Sequence, residues 1–415
     1  MRLSPEEKAV LDAIAEQGSV IVGRAVDWCA VNSGSRNRAG LDAVRALLME
    51  AFAVLPDAPT EIALAATSEV TADGRVIETA NAPAIAVVVR PQAPVQVVMT
   101  GHYDTVFPAD SRFQTVVDRA DGALHGPGIA DMKGGLSVML AALEAFEAHP
   151  GAGRVGYRVL ISPDEEVGSL ASGPVLAAFG RLGHVGMTYE PALSDGTLAS
   201  GRKGSGNFHV CIAGRAAHAG RDFTFGRNAI TAAARIAGAL DGLNGAREGV
   251  TVNVARIDGG APLNMVPDNA VLRFNVRFPD AEAADWLRRE IETALEAGRG
   301  DGLTVSLHGG LTRAAKPFNA AQTVLFEKVR QVGALIGQDI GWKPSGGVCE
   351  GNNLFAVGLP NVDTLGVRGG DIHSETEFAW PDSFVERAQL SALILMKLAS
   401  GEIDARGVQA LMETV

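Results

Sequence analysis

The sequence predicts an α/β protein whose main domain, built on a mostly parallel sheet, is interrupted by a smaller α+β insert. Three observations predict it. Short apolar runs bounded by Pro and Gly, at 84–89, 95–100, 155–161 and 185–189, have the pattern of strands covered on both faces, as in a parallel sheet between helices. From 204 the order becomes strand 207–213, helix 228–243, strands 250–257 and 270–278, helix 281–297 and strand 303–307, the split βαβ of a ferredoxin-like sandwich. Helical periodicity then resumes over 320–335 and 383–399, so this block reads as inserted. The expected organisation is a main domain at 1–203 and 313–415 around an insert at 204–312.

In chain order, Ser4, Pro5 and Glu7 look like a capping box opening a helix to about residue 16, and a second helix covers 41–52. The strand 95–100 runs into Gly101-His102-Tyr103-Asp104-Thr105-Val106-Phe107, which sets a His and an Asp at the sheet edge where open α/β folds bind ligands. A Gly-rich turn containing Asp131 then opens a helix with Leu136, Met139, Leu140, Leu143 and Phe146 on one face. A helix N-terminus favours an anion there, and a plain N-cap is the simpler account of Asp131 taken alone. The strand 155–161 ends in Ser162-Pro163-Asp164-Glu165-Glu166. Three crowded carboxylates repel one another unless a cation sits opposite, and a metal ion would leave one of them free for proton transfer. The run 185–189 ends at Glu190-Pro191, so three strands end in nitrogen or oxygen ligands and a fourth candidate lies in the Gly-rich turn between them. Each motif alone also fits a solvated loop; their repetition favours one shared site. Later, the Gly-rich loop from Pro344 to Asn353, including Gly347, offers backbone amides for an anion, and the loop from Gly366 to Glu375 offers His373.

With 415 residues, 47% hydrophobic and 20% charged, the chain has material for the cores of two or three domains. A net charge of −12 with no Lys/Arg run argues against nucleic acid and acidic membrane surfaces as partners. Cys29, Cys211 and Cys349 are odd in number and far apart, which fits a reducing compartment and no zinc-finger spacing. The first residues lack an apolar signal core and no apolar run approaches the roughly 18 residues of a membrane span, so a cytoplasmic protein is expected.

Six motifs occur in one order: His102-x-Asp104 followed by Thr105-Val106-Phe107; Gly128-x-x-Asp131-Met132-Lys133-Gly134-Gly135; Pro163-Asp164-Glu165-Glu166-Val167-Gly168-Ser169; Tyr189-Glu190-Pro191; Ala216-Ala217-His218-Ala219-Gly220; and Ile372-His373-Ser374-Glu375. The chain thereby resembles the dinuclear zinc metallopeptidase and deacylase family that includes carboxypeptidase G, acetylornithine deacetylase, succinyl-diaminopimelate desuccinylase and aminoacylase. The resemblance covers nearly the whole chain. It implies a three-layer α/β/α zinc-exopeptidase-type catalytic domain, with the ferredoxin-like insert as lid and homodimerisation domain. It also implies two Zn²⁺ per subunit, with Co²⁺ or Mn²⁺ as other occupants: His102 and Glu190 at one, Glu166 and His373 at the other, and Asp131 bridging. Glu165 would be the general base, Asp104 would orient His102, and His218 would stabilise the oxyanion, often in the partner subunit's site.

Asn264 and Arg277 match family positions that hold the substrate carboxylate or the oxyanion, and Gly347 and Lys316 complete the expected substrate-binding set. Two departures stand near that end. Carboxypeptidase G-like members carry an Arg where Ala315 falls here, with Lys316 and Arg313 nearby, and relatives often have Asp where Glu350 stands. His125, His149, His184, His209, His308 and Cys349 read as structural. The expected activity is metal-dependent cleavage of an N-acyl amino acid or short peptide, releasing an amino acid with a free α-carboxylate. The alternatives are a di- or tripeptidase that reads a free N-terminus through Glu350 or Asp371, and a non-catalytic binding protein on the same fold.

Overall fold

A computed structural model describes residues 1–300 and 302–412. Its larger sheet has six strands in the order Thr60–Ile62, Ala84–Val89, Val155–Ser162, Val95–His102, Val185–Thr188 and Asn361–Val362. The last four run parallel and the first two add an antiparallel edge. Both faces are covered, and side-chain alternation shows how. Val97 and Met99 point into the main core beneath the helices Pro5–Glu16, Lys133–Glu147 and Asp382–Ser400, whereas Val98 packs on Leu354 and Leu359 on the other side. Leu160 likewise meets Leu176 of the helix Gly173–Gly180, while Val159 and Ile161 face the main core. The layers are therefore helix, sheet, helix, as expected.

A separate four-stranded antiparallel sheet has the order Thr251–Gly259, Asn269–Phe278, Gly204–Ala213 and Thr304–Arg313. The helices Ala229–Asp241 and Ala281–Glu296 cover one of its faces and close a second core around Val210, Leu272, Ile236 and Leu287. The opposite face meets the main domain: Arg273 Nη2 donates to the backbone oxygens of Val70 and Thr71 at 3.1 and 3.0 Å. The strand Thr304–Arg313 outruns the expected 303–307, because Gly309 and Gly310 break the apolar alternation without breaking the pairing. The helix Gly18–Cys29 was not legible, since Gly18, Val20, Ile21, Val22 and Gly23 are weak helix formers. Tertiary contacts stabilise it, among them Arg24 donating to Ser137 Oγ at 3.1 Å. Among the described residues no helix is long and apolar enough to cross a membrane.

Candidate metal centre

Three parallel strands end at one edge of the large sheet, and the site forms there. His102 lies in register with Ser162, and Thr100 with Thr188, so His102, Glu165, Glu166 and Glu190 leave the sheet on the same side. Asp131 reaches the same point from the turn before Lys133–Glu147. Its Oδ1 lies 3.1 Å from His102 Nε2 and its Oδ2 lies 3.2 Å from His373 Nε2, so the two oxygens face different histidines. Glu190 Oε1 stands 3.9 Å from His102 Nε2, and Glu166 Oε2 stands 3.2 Å from His373 Nε2. Two triads sharing Asp131 result: His102, Asp131 and Glu190, and Asp131, Glu166 and His373, each with ligand atoms within 4.8 Å of one another.

The donors fit a pair of divalent cations. Glu190 Oε1 is buried and accepts no hydrogen bond, an uncompensated position that a cation would relieve. Imidazole and carboxylate donors without thiolate suit Zn²⁺, and also Co²⁺ or Mn²⁺. Burial pushes the Glu166 carboxyl up to about 8, with the Asp131 charge adding to it. Burial and the charges of Asp131 and Glu165 also hold Glu190 well above its ordinary value. For Asp131, burial pulls upward, but hydrogen bonds from His102 and His373 win and hold it below the usual carboxylate range. The site thus concentrates more negative charge than its two histidines can neutralise.

A hydrogen-bonded frame supports these ligands. Asp104 Oδ1 accepts from Glu165 N at 3.1 Å, and Asp104 Oδ2 accepts from Glu166 N at 3.2 Å and from Ser35 Oγ at 2.7 Å. His102 Nδ1 lies 3.0 Å from the backbone oxygen of Asp104 and 3.4 Å from its Oδ1, so Asp104 orients this ring through its main chain at least as closely as through its carboxylate. Glu377, which the sequence reading missed, accepts from the backbone amides of Gly128, Ala130 and Asp131 at 3.1, 2.9 and 3.0 Å and so fixes the bridging loop. Its only sequence signal is an acidic residue between Thr376 and Phe378, close to the His373 motif. Asp164 turns away and accepts from Ala171 N and Ser172 N at 2.8 and 3.2 Å, leaving Glu165 and Glu166 for the site.

A cavity of about 700 Å³ opens over these ligands. Asp131, Glu165, Glu166, Glu190 and His373 line it from the main sheet's side, Ser205, Arg277 and Arg313 line it from the smaller sheet, and Gly347 lines it too. Arg277 Nη1 is buried there without a hydrogen-bond partner. The structure does not bring Lys316 to this cavity. It is fully buried, its Nζ lies 2.8 Å from Asp363 Oδ2, and it does not line this cavity. Arg202, held by Asp363 at 2.8 and 3.2 Å, lines it instead. His218 and Asn264 lie beside each other on an exposed arm of the smaller sheet's lobe, with Ala219 N donating to Asn264 O at 2.8 Å, and neither lines the cavity. His125, His149 and His184 are engaged with backbone groups at 2.9, 3.1 and 2.9 Å.

Neither Glu350 nor Asp371 is among the residues that line the cavity. Glu350 is fully buried and accepts from Ser162 Oγ, while its Oε2 has no partner. Burial raises its carboxyl from 4.5 to about 8. A raised carboxyl contributes stability that is complete below pH 4.5 and is lost as pH climbs to about 8, at about 1.4 kcal/mol per pH unit in between. Glu350→Gln removes that dependence. Its Tm relative to the unaltered protein is expected to rise between about pH 5 and pH 8 in thermal melts, and a constant difference would contradict a neutral Glu350.

Residues 98–397 match the family model described as peptidase family M20/M25/M40. The chain belongs to this family. Among M20 relatives, it is 26% identical over 316 residues to carboxypeptidase G2 of Pseudomonas sp. strain RS-16, covering 73% of this chain and 74% of the relative. It is 30% identical over 325 residues to succinyl-diaminopimelate desuccinylase of Methylocella silvestris, covering 72% of this chain and 81% of the relative. Among solved structures, the dipeptidase Dug1p of Saccharomyces cerevisiae superposes with a TM-score of 0.71 at 16% identity, covering 95% of this chain and 98% of that one. Human carnosine dipeptidase 1 gives 0.70 at 16% identity, covering 95% and 100%. At these identities the superpositions show the M20 fold alone. Family membership makes the protein a metallohydrolase, and the two triads are its candidate metal-binding groups.

Proposed function

We propose that this protein hydrolyses an amide bond and releases an amino acid with a free α-carboxylate, in the manner of a carboxypeptidase or an N-acyl-amino-acid deacylase. The observation that carries this reading is Arg277 Nη1, buried and unpartnered in the same cavity as both triads. A buried guanidinium N–H without an acceptor is costly, and a substrate carboxylate relieves it with a charge-assisted pair. Arg277→Ala is expected to raise KM about 10–100-fold for substrates with a free carboxylate and to leave their α-methyl esters little changed; equal effects on both would remove Arg277 from carboxylate recognition.

Two zinc ions held by His102, Asp131, Glu166, Glu190 and His373 would supply a Lewis acid for the scissile carbonyl and a water of lowered pKa. Glu165 is buried in the cavity wall with its Oε1 paired to Arg313 Nη1 at 2.7 Å, and a carboxylate offers about four lone-pair sites, so that one contact leaves acceptor capacity for a proton. It takes the proton of the attacking water and returns it to the departing nitrogen. Arg277 and Gly347 hold the amino-acid end of the substrate, and Asp104 keeps the Glu165-Glu166 turn in place.

The insert serves as lid and as dimerisation surface in this reading. Phe223, Phe225, Leu263 and Met265, all exposed, flank the arm that carries His218 and Asn264. Contiguous exposed apolar groups favour a partner surface, and a second copy would bring His218 and Asn264 to a cavity that they do not reach in their own chain. Mixing Glu165→Gln chains with His218→Ala chains is expected to restore activity to two poorly active proteins, because one shared site then holds both intact groups. Mixtures no better than their components would confine His218 to its own chain.

A further inference from the structure

Arg313 ends the last strand of the inserted sheet and meets the carboxylate of Glu165 in the main domain. Its Nη1 stands 2.7 Å from Glu165 Oε1. Its Nη2 donates to the backbone oxygen of Glu165 at 3.1 Å and to Ser169 Oγ at 2.7 Å. Both side chains are buried. Ser205 pairs with Arg277 on one neighbouring strand and with Arg313 on the other, so two arginines flank one serine on a single rung facing the cavity. They are engaged differently: Arg277 Nη1 has no partner, whereas both terminal nitrogens of Arg313 are held by Glu165 and Ser169, with its Nε alone unpartnered.

We propose that Arg313 is a positioning residue for Glu165, aiming its carboxylate while leaving a lone pair open. The geometry divides those tasks. Nη1 meets the Glu165 carboxylate through Oε1 at 2.7 Å, one contact among the roughly four lone-pair sites a carboxylate offers. A carboxylate saturated with hydrogen bonds is a weak proton acceptor, whereas one held through a single contact keeps acceptor sites for water. The contacts to the Glu165 backbone and to Ser169 fix the guanidinium plane, so Arg313 cannot turn to a substrate carboxylate without giving up its present partners. Because Arg313 lies on the inserted sheet, the pair spans the joint between the two sheets and ties the orientation of Glu165 to the position of the insert.

This inference rests on the role proposed for Glu165. Arg313→Ala and Arg313→Lys test it through kcat, KM and metal content measured together. Arg313→Ala is expected to lower kcat about 10–100-fold, with KM within about threefold and two metal ions retained per chain. Added guanidinium ion should restore part of that kcat, which a packing defect would not allow. Arg313→Lys, which keeps the charge but not the fork, should lose about tenfold in kcat at unchanged KM, and it decides the matter if the alanine variant does not fold. A raised KM with kcat intact would assign Arg313 to the substrate and overturn the proposal, as would wild-type kcat in Arg313→Lys or no rescue of Arg313→Ala. An unaltered enzyme inactive on every amide removes the Glu165 reading and this inference with it; an active enzyme that the Arg313 variants match removes this inference alone.

Discussion

Glu165→Gln is expected to keep two metal ions per chain and to lower kcat by about 10²–10⁴-fold, the range a positioned general base contributes. The substitution preserves size and the backbone amide that donates to Asp104 Oδ1 at 3.1 Å, so the Glu165-Glu166 turn is retained. It removes the group that accepts and returns the proton. Neither triad contains Glu165, which is why metal content should stay constant while turnover falls. Metal analysis beside steady-state kinetics checks both parts, and near-normal kcat would end the assignment of Glu165 as base.

The second large effect is expected at Asp131. It is the one residue common to both triads, with Oδ1 toward His102 and Oδ2 toward His373. Asp131→Asn replaces one acceptor oxygen by an N–H donor and removes the negative charge, so it should empty both positions together. Bound metal is expected to fall from about two per chain to below about one, with activity lost, because a ligand substitution commonly costs more than the roughly 10–100-fold seen for its supporting residues. Glu190→Gln, which touches a single triad, should lose one ion at most. Two ions retained by Asp131→Asn would show that the triads do not share their carboxylate.

Much of this site was legible because it follows from strand ends. Apolar runs at 95–100, 155–161 and 185–189 announce buried strands, and the ligands come directly after them, so one sheet edge collects His102, Glu166 and Glu190. What stayed hidden depends on long-range pairing. Lys316 read as a candidate substrate group because nothing local shows that Asp363, 47 residues on, takes its charge in the core. Arg313 read only as a neighbour of a missing arginine, since its partner Glu165 lies 148 residues earlier. Glu377 was invisible for the same reason: its partners are the amides of the loop from Gly128 to Asp131. The helix Gly18–Cys29 shows the same limit in the fold, because its local preferences are weak and its packing against Lys133–Glu147 decides.

Amide cleavage directed by a free carboxylate is the central activity proposed for this protein. Its most direct test is turnover by zinc-loaded protein on matched N-acyl amino acids, dipeptides and their α-methyl esters, with Glu165→Gln as control. Cleavage of the free acids, with kcat/KM reduced at least about tenfold for the esters and abolished in the control, is the predicted result. Cleavage of esters as fast as acids, or undiminished turnover by Glu165→Gln, would contradict it.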